Sequence, residues 1–320
     1  MGEPVKLIAL DVVPAAGVAS VVQTWGVSRL IEEPPFAVEP KHAHFLERVL
    51  QDATRDDATS VAAVDQEAVV GLSVLRFPLW DEEHFGFRLG RVEHLIARDA
   101  DVAGALARRI VRSLDARGAA FCSARLSSDA LPALQALEAA GFHFQEHALT
   151  PWRALHDWDV RAFAVTRPTE EADLPRLCEI ARRSFATDRF HRDPGFAAAA
   201  ADGLYEKWVG TWHGLPGPGR QSRVLVVDGD VAGFFMTEVI RPGGQASARV
   251  ALIVLNAVDP ERAGLGLGYR MYCDVLDCVR DEAEYASAVV ATVNVAVVNL
   301  YAKLGFKLST GGEVTLHRWT

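Results

Sequence analysis

The segment V-D-P-E-R-A-G-L-G-L-G-Y-R-M-Y, Val258 to Tyr272, joins two different patterns. Before it lies an apolar run, Val250 to Val258, that reads as a buried strand. After it, Leu267 to Arg280 carries apolar residues at helical spacing. The layout is strand, glycine loop, helix. Gly264, Gly266 and Gly268 alternate, so no side chain crowds the loop and a ligand can approach the backbone closely. Backbone N–H groups at a helix start, together with the helix dipole, attract anions. The expected ligand group is a phosphate or pyrophosphate; the alternative is a tight turn and nothing more. Two nucleotide motifs fail on spacing: there is no G-x-x-x-x-G-K-[ST], and no strand opens directly into G-x-G-x-x-G followed by an acidic residue about twenty positions on.

A second segment, N-V-A-V-V-N-L-Y-A-K-L-G-F, Asn294 to Phe306, settles between these readings. The pair resembles the acetyl-CoA-binding half of the GNAT N-acetyltransferase superfamily. There, V-x-P-x-x-R-G-x-G-x-G cradles the CoA pyrophosphate, and N-x-x-A-x-x-L-Y-x-K-L-G-F places an Asn and a Tyr near the thioester. Val258 and Pro260 stand at the right distance before the glycines. Ala263 departs from the pattern, standing where the family has Arg or Gln, with Arg262 one residue earlier. That puts a side-chain contact to phosphate in question, not the backbone cradle. The resemblance covers roughly Phe163 to Trp319. It implies a CoA site built from Leu255, Ala257, Val258, Arg262, Ala263, Gly264, Gly266, Leu267, Gly268, Asn294 and Tyr301.

The chain has 320 residues, room for two domains, and half of them are hydrophobic. It contains no apolar run of about eighteen residues, so no transmembrane helix is expected. The N-terminus lacks a basic region followed by a long apolar core, so no signal peptide is expected; Lys6 also spoils a myristoylation start at Gly2. A formal net charge of -9 repels phosphate backbones and argues against nucleic acid as a partner. Cys122, Cys178, Cys273 and Cys278 show no C-x-x-C spacing. Buried free thiols in a reducing cytoplasm are expected.

In chain order, the first half reads as a short apolar segment Val5–Leu10 and helical patterns at Ala16–Ile31 and His42–Ala53, broken at Pro34–Phe36. A hairpin follows, Ser60–Val64 with Ala68–Arg76. Next come a strand at Val92–Ala97, a helix at Ala103–Ala116, a strand at Ala119–Ala124, and a helix at Ala130–Ala140 closed by Gly141. The second half repeats the order: a strand at Ala162–Thr166, a helix at Glu170–Phe185 capped by Thr169, and a helix at Gly203–Trp212. It continues with a hairpin, Arg223–Val227 with Val231–Ile240, turning at Asp228–Asp230. After the glycine loop come a strand at Ala288–Thr292, a helix at Val295–Lys303, and a final hairpin of Phe306–Ser309 with Glu313–Trp319.

The halves look like an internal duplication. A-L-E-A-A-G-F, Ala136–Phe142, keeps the frame of L-Y-A-K-L-G-F, Leu300–Phe306, with Leu137 in place of the Tyr. R-D-A-D-V-A-G-A-L, Arg98–Leu106, has no glycine cradle, and its aspartates would repel a pyrophosphate. The expected architecture is α/β with mixed sheets, a tandem GNAT acyltransferase fold. A degenerate domain without a CoA cradle would span 1–157 and a catalytic domain 158–320.

Three further segments are P-L-W-D-E-E-H-F-G at Pro78–Gly86, A-T-D-R-F-H-R-D-P at Ala186–Pro194, and L-Y-E-K-W at Leu204–Trp208. Their order resembles the bacterial TDP-fucosamine acetyltransferases, which N-acetylate the amine of a TDP-4-amino-4,6-dideoxyhexose. That resemblance implies a nucleotide-linked amino sugar as substrate.

For such chemistry Tyr301 is the acid: a phenol with an ordinary pKa of about 10 stays protonated at neutral pH and can protonate a departing thiolate. A backbone N–H near Leu255 to Ala257 would polarise the carbonyl, where the family's strand splays from its neighbour. Packing beside Phe306 is the plainer role for Tyr301. Glu238 is a candidate base by position, and Asn256 a residue to orient a water; a solvated strand residue and ordered water serve equally. Arg189 is expected on a substrate diphosphate, with His191, Arg192 and Asp193 beside it, the alternative being a solvated loop. Tyr205 and Trp208 share a helix face, for core packing or for stacking a sugar or base. Asp81, Glu82 and His84 fit no common metal site, so no metal is expected, and Trp80–Gly86 reads as a loop over a cleft or interface. The expected function is acetyl-CoA-dependent N-acetylation of a small-molecule amine. Another amine, such as an antibiotic or polyamine, and a CoA-responsive binding protein are the alternatives. A homodimer is an open assembly.

Overall fold

A computed structural model of the chain describes residues 5–26, 38–214, 217–241, 248–308 and 311–320. The chain divides into two units, Met1–His147 with Thr310–Thr320, and Ala148–Ser309. Each has its own hydrophobic core.

In the first unit the strands are β1 (Lys6–Ala9), β2 (Ala58–Asp65), β3 (Ala68–Arg76), β4 (Leu89–Ala97), β5 (Phe121–Ser127) and β6 (His143–Leu149). Its helices are α1 (Ala15–Trp25), α2 (Val38–Ala53), α3 (Leu79–Phe85), α4 (Ala100–Arg117) and α5 (Leu131–Ala139). The strand order is β1-β2-β3-β4-β5, then the C-terminal strand Gly312–Trp319, then β6. That placement corrects the expected final hairpin. Glu313 to Trp319 pair antiparallel with Ser127 to Phe121 of β5, while Lys307 bridges to Trp152. Local spacing suggested a turn, but the apolar face of this strand, with Leu316 buried, completes the first core. The segment Trp80–Gly86 is also corrected: Leu79–Phe85 is a short helix, closed by Gly86 at φ 76. Residues 27–37, which include part of one expected helix and its break at Pro34–Phe36, lie outside the described residues.

Strands of the second unit are β7 (Trp152–Ala154), β8 (Thr166–Pro168), β9 (Arg220–Val227), β10 (Asp230–Ile240), β11 (Val250–Val258), β12 (Tyr285–Ala288) and β13 (Val290–Ala291). The first six form a sheet in the order β7-β12-β11-β10-β9-β8. Short β13 instead pairs with Leu149 and Ala148. Among the described residues five α-helices accompany them: α6 (Leu174–Ser184), α7 (Arg189–Arg192), α8 (Ala198–Gly214), α9 (Leu267–Val279) and α10 (Val295–Lys303). The apolar residues of α9 recur at helical spacing, and Leu267, Met271, Val275, Leu276 and Val279 are buried in the unit's core. Each such side chain contributes about 1.5–3 kcal/mol on burial.

Two sequence expectations shift here. Thr169 does not cap α6. Glu170 and Asp173 form a capping box on a 3-10 turn, and α6 begins only at Leu174. Strand β8 begins at Thr166 because the backbone before it is taken by one carboxylate: buried Asp274 accepts from the amides of Phe163, Ala164, Val165 and Thr166. Ala164 adopts φ 55 within that turn.

The units share register irregularities, one of them next to the glycine loop's strand. In β10 the register with β11 shifts between Met236 and Thr237, which face Leu255 and Ile253 and leave Val254 unpaired. In β3 the register with β4 shifts between Val74 and Leu75, which face His94 and Val92 and leave Glu93 unpaired. Gly233 and Gly71 sit at matching places. A Cβ at Gly233 would lie 2.6 Å from the Ala257 carbonyl oxygen, and one at Gly71 2.8 Å from that of Ile96. The duplication read from the sequence is therefore carried by the two sheets.

Candidate active site

β11 pairs in parallel with β12 only from Val250 to Ile253. Beyond Ile253 it continues to Val258 with β10 on its other side. The chain thus opens a wedge along Val254–Val258, where Leu255 and Ala257 lie. The bulge at Val254 bends the strand at the place where the parallel neighbour leaves.

From Val258 the chain passes through Asp259 and a 3-10 turn, Pro260–Arg262, into the glycines. Buried Asp259 accepts from the Glu261 amide and pairs with Arg176 of α6, with Arg183 at 3.8 Å. Glu261 pairs with Arg183 at 2.5 Å. The acidic residues leading into the loop are thereby neutralised. Arg262 donates to Asp230 at 3.1 Å and to the Val227 carbonyl, so its guanidinium braces the β9–β10 turn. Ala263 caps the 3-10 turn.

Gly264 and Gly266 have φ 83 and φ 71, a region that side chains disfavour. A Cβ at either would meet nothing within 4 Å, so the loop opens onto free space. Gly266 is the N-cap of α9 and supplies no side-chain cap. Gly268 lies in the first turn, where an added Cβ would meet only Leu300 at 3.9 Å. The first turn of α9 thus presents N–H groups and the positive end of the dipole with no carboxylate in the way. An anion fits here. At the matching helix of the first unit, the N-cap is Asp99, whose carboxylate accepts from the Val102 amide at 3.0 Å.

Asn294 is the N-cap of α10, its side chain accepting from the Val297 amide at 3.3 Å. Val293 and Val295 on either side are exposed apolar residues. Tyr301 sits two turns on and is only 2% exposed. Its hydroxyl lies 3.0 Å from that of Tyr272 on α9, and its ring packs on Phe306 at 4.8 Å between centroids. Tyr272 in turn hydrogen-bonds the Asn256 side chain of β11 and packs edge-on against Phe235. Burial, and then Tyr272, push the Tyr301 phenol well above its ordinary value. Burial also pushes Tyr272 up to about 12, against the opposing hydrogen bonds from Tyr301 and Asn256. Tyr272 was not singled out from sequence; the signal was an aromatic at a buried helical position facing the wedge strand.

The other expected site residues are engaged locally. Glu238 lies directly across from Arg220 in the β9–β10 register and pairs with it at 3.4 Å. Arg220 also covers the Trp212 ring at 4.3 Å. His191 is held on both ring nitrogens, by Asp188 at 2.5 Å and Asp202 at 3.0 Å. The Arg189 guanidinium stands 4.5 Å over the Phe190 ring. Tyr205 and Trp208 share a face, as expected, with centroids 6.2 Å apart. Tyr205 is buried against Phe185 in a stack at 4.1 Å, whereas Trp208 is 37% exposed. All four cysteines are free, but only Cys122 and Cys273 are buried; Cys278 is exposed, against expectation.

Residues 152–306 match the acetyltransferase (GNAT) family. A curated relative, the spore coat polysaccharide biosynthesis protein SpsD of Bacillus subtilis (strain 168), is 26% identical over 142 residues. That match spans 43% of this chain and 45% of SpsD, under half of the relative's length. Among solved structures, a tandem GNAT protein from the clavulanic acid biosynthesis pathway superposes with a TM-score of 0.60 at 16% identity, covering 98% of each chain. A GCN5-related N-acetyltransferase from Sphaerobacter thermophilus gives a TM-score of 0.62 at 14% identity, covering 99% of this chain and 96% of its own. These structures establish a tandem GNAT fold. Among the described residues no cluster of His, Cys, Asp or Glu could hold a metal ion, and no helix is long and apolar enough to cross a membrane.

Proposed function

We propose that the second unit transfers an acetyl group from acetyl-CoA to a primary amine, and that the amine belongs to a nucleotide-linked amino sugar. The observation that carries this reading is the uncapped glycine start of α9 next to the wedge in β11. Gly264, Gly266, Leu267 and Gly268 would hold the pyrophosphate through backbone N–H groups. Arg262 and Ala263 would shape that loop and not grip the phosphate by side chain. Val258 and exposed Val293 and Val295 would face the apolar arm of CoA. Acetyl-CoA supplies the activated acyl group as a thioester.

The chain's own groups do the rest. The backbone of Ala257 turns toward β10, its carbonyl oxygen lying against Gly233, and Leu255 shares that side; the acyl carbonyl is therefore polarised from the other edge of β11, by the Asn256 N–H, since backbone dipoles fixed before reaction need no reorganisation. Asn294 fixes the start of α10 and so the place of Tyr301. Tyr301 gives its proton to the departing sulfur. Held by Arg220, Glu238 is a brace of the sheet in this reading, and water carries away the amine proton. Arg189 would meet the substrate diphosphate, His191 would hold the loop that carries Arg189, and Trp208 offers an exposed stacking face, with Tyr205 behind it as support. SpsD, named for spore coat polysaccharide biosynthesis, lends weight to a sugar substrate.

Thiol release from acetyl-CoA, followed over an amine panel, tests the reading. The panel should hold a TDP-4-amino-4,6-dideoxyhexose, a polyamine and an aminoglycoside. The nucleotide amino sugar is expected to give the highest kcat/KM. Preferred turnover of another amine would remove the sugar assignment and keep the reaction. CoA binding with no amine-dependent thiol release would leave a binding protein.

A further inference from the structure

Beside the start of α9 stand two exposed cations, each laid on an aromatic ring. Lys303 of α10 holds its ammonium 4.3 Å from the ring centroid of Tyr269, and Arg270 holds its guanidinium 5.7 Å from that of Phe163. The two rings meet edge to face at 6.2 Å. Among the described residues neither cation has a carboxylate partner. Arg176, Arg183, Arg220 and Arg262 of the same unit are each matched to one. A ring attracts a cation through its quadrupole and carries no net charge, so it orients the side chain without neutralising it. In a chain of net charge -9, such a local positive patch is where an anionic ligand is drawn in.

The patch adjoins the glycine start of α9. Helix α10 reaches that start at Leu300, which a Cβ on Gly268 would meet at 3.9 Å. Lys303 lies one turn further along α10, and Tyr269 follows Gly268 directly, so the Lys303 side chain spans the groove between the two helices. The N–H groups that α9 can offer a ligand are those of its first turn, because the Arg270 amide already donates to the Gly266 carbonyl at 3.3 Å. A pyrophosphate uses them up. CoA carries a second phosphate, a monoester on the ribose of its adenosine, with a charge near -2 at neutral pH. That group needs a side-chain cation. We propose that Lys303, with Arg270 flanking it across Tyr269 and Phe163, binds this phosphomonoester and makes the cradle selective for 3′-phosphorylated CoA. An ammonium on a flexible stem suits a phosphate as a point charge, and a guanidinium beside it adds to the field. This rests on the reading of the α9 start as the CoA cradle.

The test is a calorimetric titration of the full chain with CoA and with 3′-dephospho-CoA, which keeps the pyrophosphate and lacks only the monoester. The wild type should bind CoA roughly tenfold or more tighter than the dephospho form. In Lys303→Met the two affinities should come within about twofold of each other, through weaker CoA binding and unaltered dephospho-CoA binding. Arg270→Gln should lower the ratio by a smaller factor. Lys307→Met removes the same charge from a lysine that lies on the Trp152 ring at 5.0 Å, and should leave the ratio as in the wild type. All three side chains are exposed, so the variants should fold normally. Equal affinities in the wild type, an unchanged ratio in Lys303→Met, or the same loss in Lys307→Met would each overturn the phosphomonoester site and leave the cradle standing. A greater loss in Arg270→Gln than in Lys303→Met would overturn the assignment to Lys303. Binding of neither ligand would overturn the cradle and this site together.

Discussion

Tyr301 on α10 and Tyr272 on α9 hold their hydroxyls 3.0 Å apart inside the core of the second unit. Burial and this partner keep the Tyr301 phenol protonated well above its ordinary range. Replacing Tyr301 with Phe keeps the ring on Phe306 and removes the donor. The chemical step should slow by roughly a hundredfold or more, with CoA affinity nearly unchanged. Because the folded phenol ionises later than a free one, the wild-type rate should show no fall attributable to Tyr301 below about pH 10. The part of stability that depends on Tyr301 should fall only above about pH 10, where the unfolded chain releases phenol protons that the native state keeps. Rate–pH profiles of both proteins check this. A decline between about pH 7 and 9 that vanishes in the variant would contradict the burial of Tyr301.

How much of this was open to reading from sequence depends on the range of the interactions. The glycine loop, α9 and α10 are local: positive φ at Gly264 and Gly266 and the cap at Asn294 leave marks within a few residues. The C-terminal strand is different. Its partner is β5, some 190 residues away in sequence at Arg125 and Thr315, and no spacing rule points there. The start of β8 was misplaced for the same reason, since Asp274 captures its backbone from about 110 residues on. Partners of Glu238 and His191 became visible only once β9, β10, α7 and α8 were placed, and they give both residues local work.

Asp274 gives a stability prediction. Its carboxylate accepts four backbone amides, so Asp274→Ala leaves four donors without it. The loss should reach about 3 kcal/mol or more, and Asp274→Asn, which keeps one oxygen, should lie between. Chemical denaturation measures both. A cost for Asp274→Ala below about 1 kcal/mol would show that water replaces the carboxylate.

His191 gives a pH prediction of the same sign as Tyr301, in a lower pH range. Burial lowers its pKa, but the hydrogen bonds to Asp202 and Asp188 outweigh that, and the net shift is upward. A raised histidine contributes stability in full below its unfolded value of about 6.5 and loses it as pH rises through the folded value. Melting temperature should therefore fall more steeply as pH rises above about 6.5 in the wild type than in His191→Gln. Parallel curves would mean that the imidazolium pairs add nothing.

Arg189 tests the substrate side. On the proposed reading, Arg189→Ala removes a planar fork from the diphosphate and the cation over Phe190. The KM for the nucleotide amino sugar should rise roughly tenfold, and the acetyl-CoA KM should stay within about twofold. Equal rises in both would make the arginine a structural brace.

The most direct test of the central claim is a calorimetric titration of acetyl-CoA into the wild type and Gly266→Val. Gly266 sits at φ 71 facing open space, and the first unit's matching helix is closed by Asp99. The valine adds about 1–2 kcal/mol of backbone strain, too little to unfold a domain of ordinary stability, and puts methyl groups where the pyrophosphate must approach. One site per chain is predicted in the wild type, with affinity lost in a variant that remains folded. Two sites per chain, or unaltered affinity in Gly266→Val, would contradict a single CoA cradle at the start of α9.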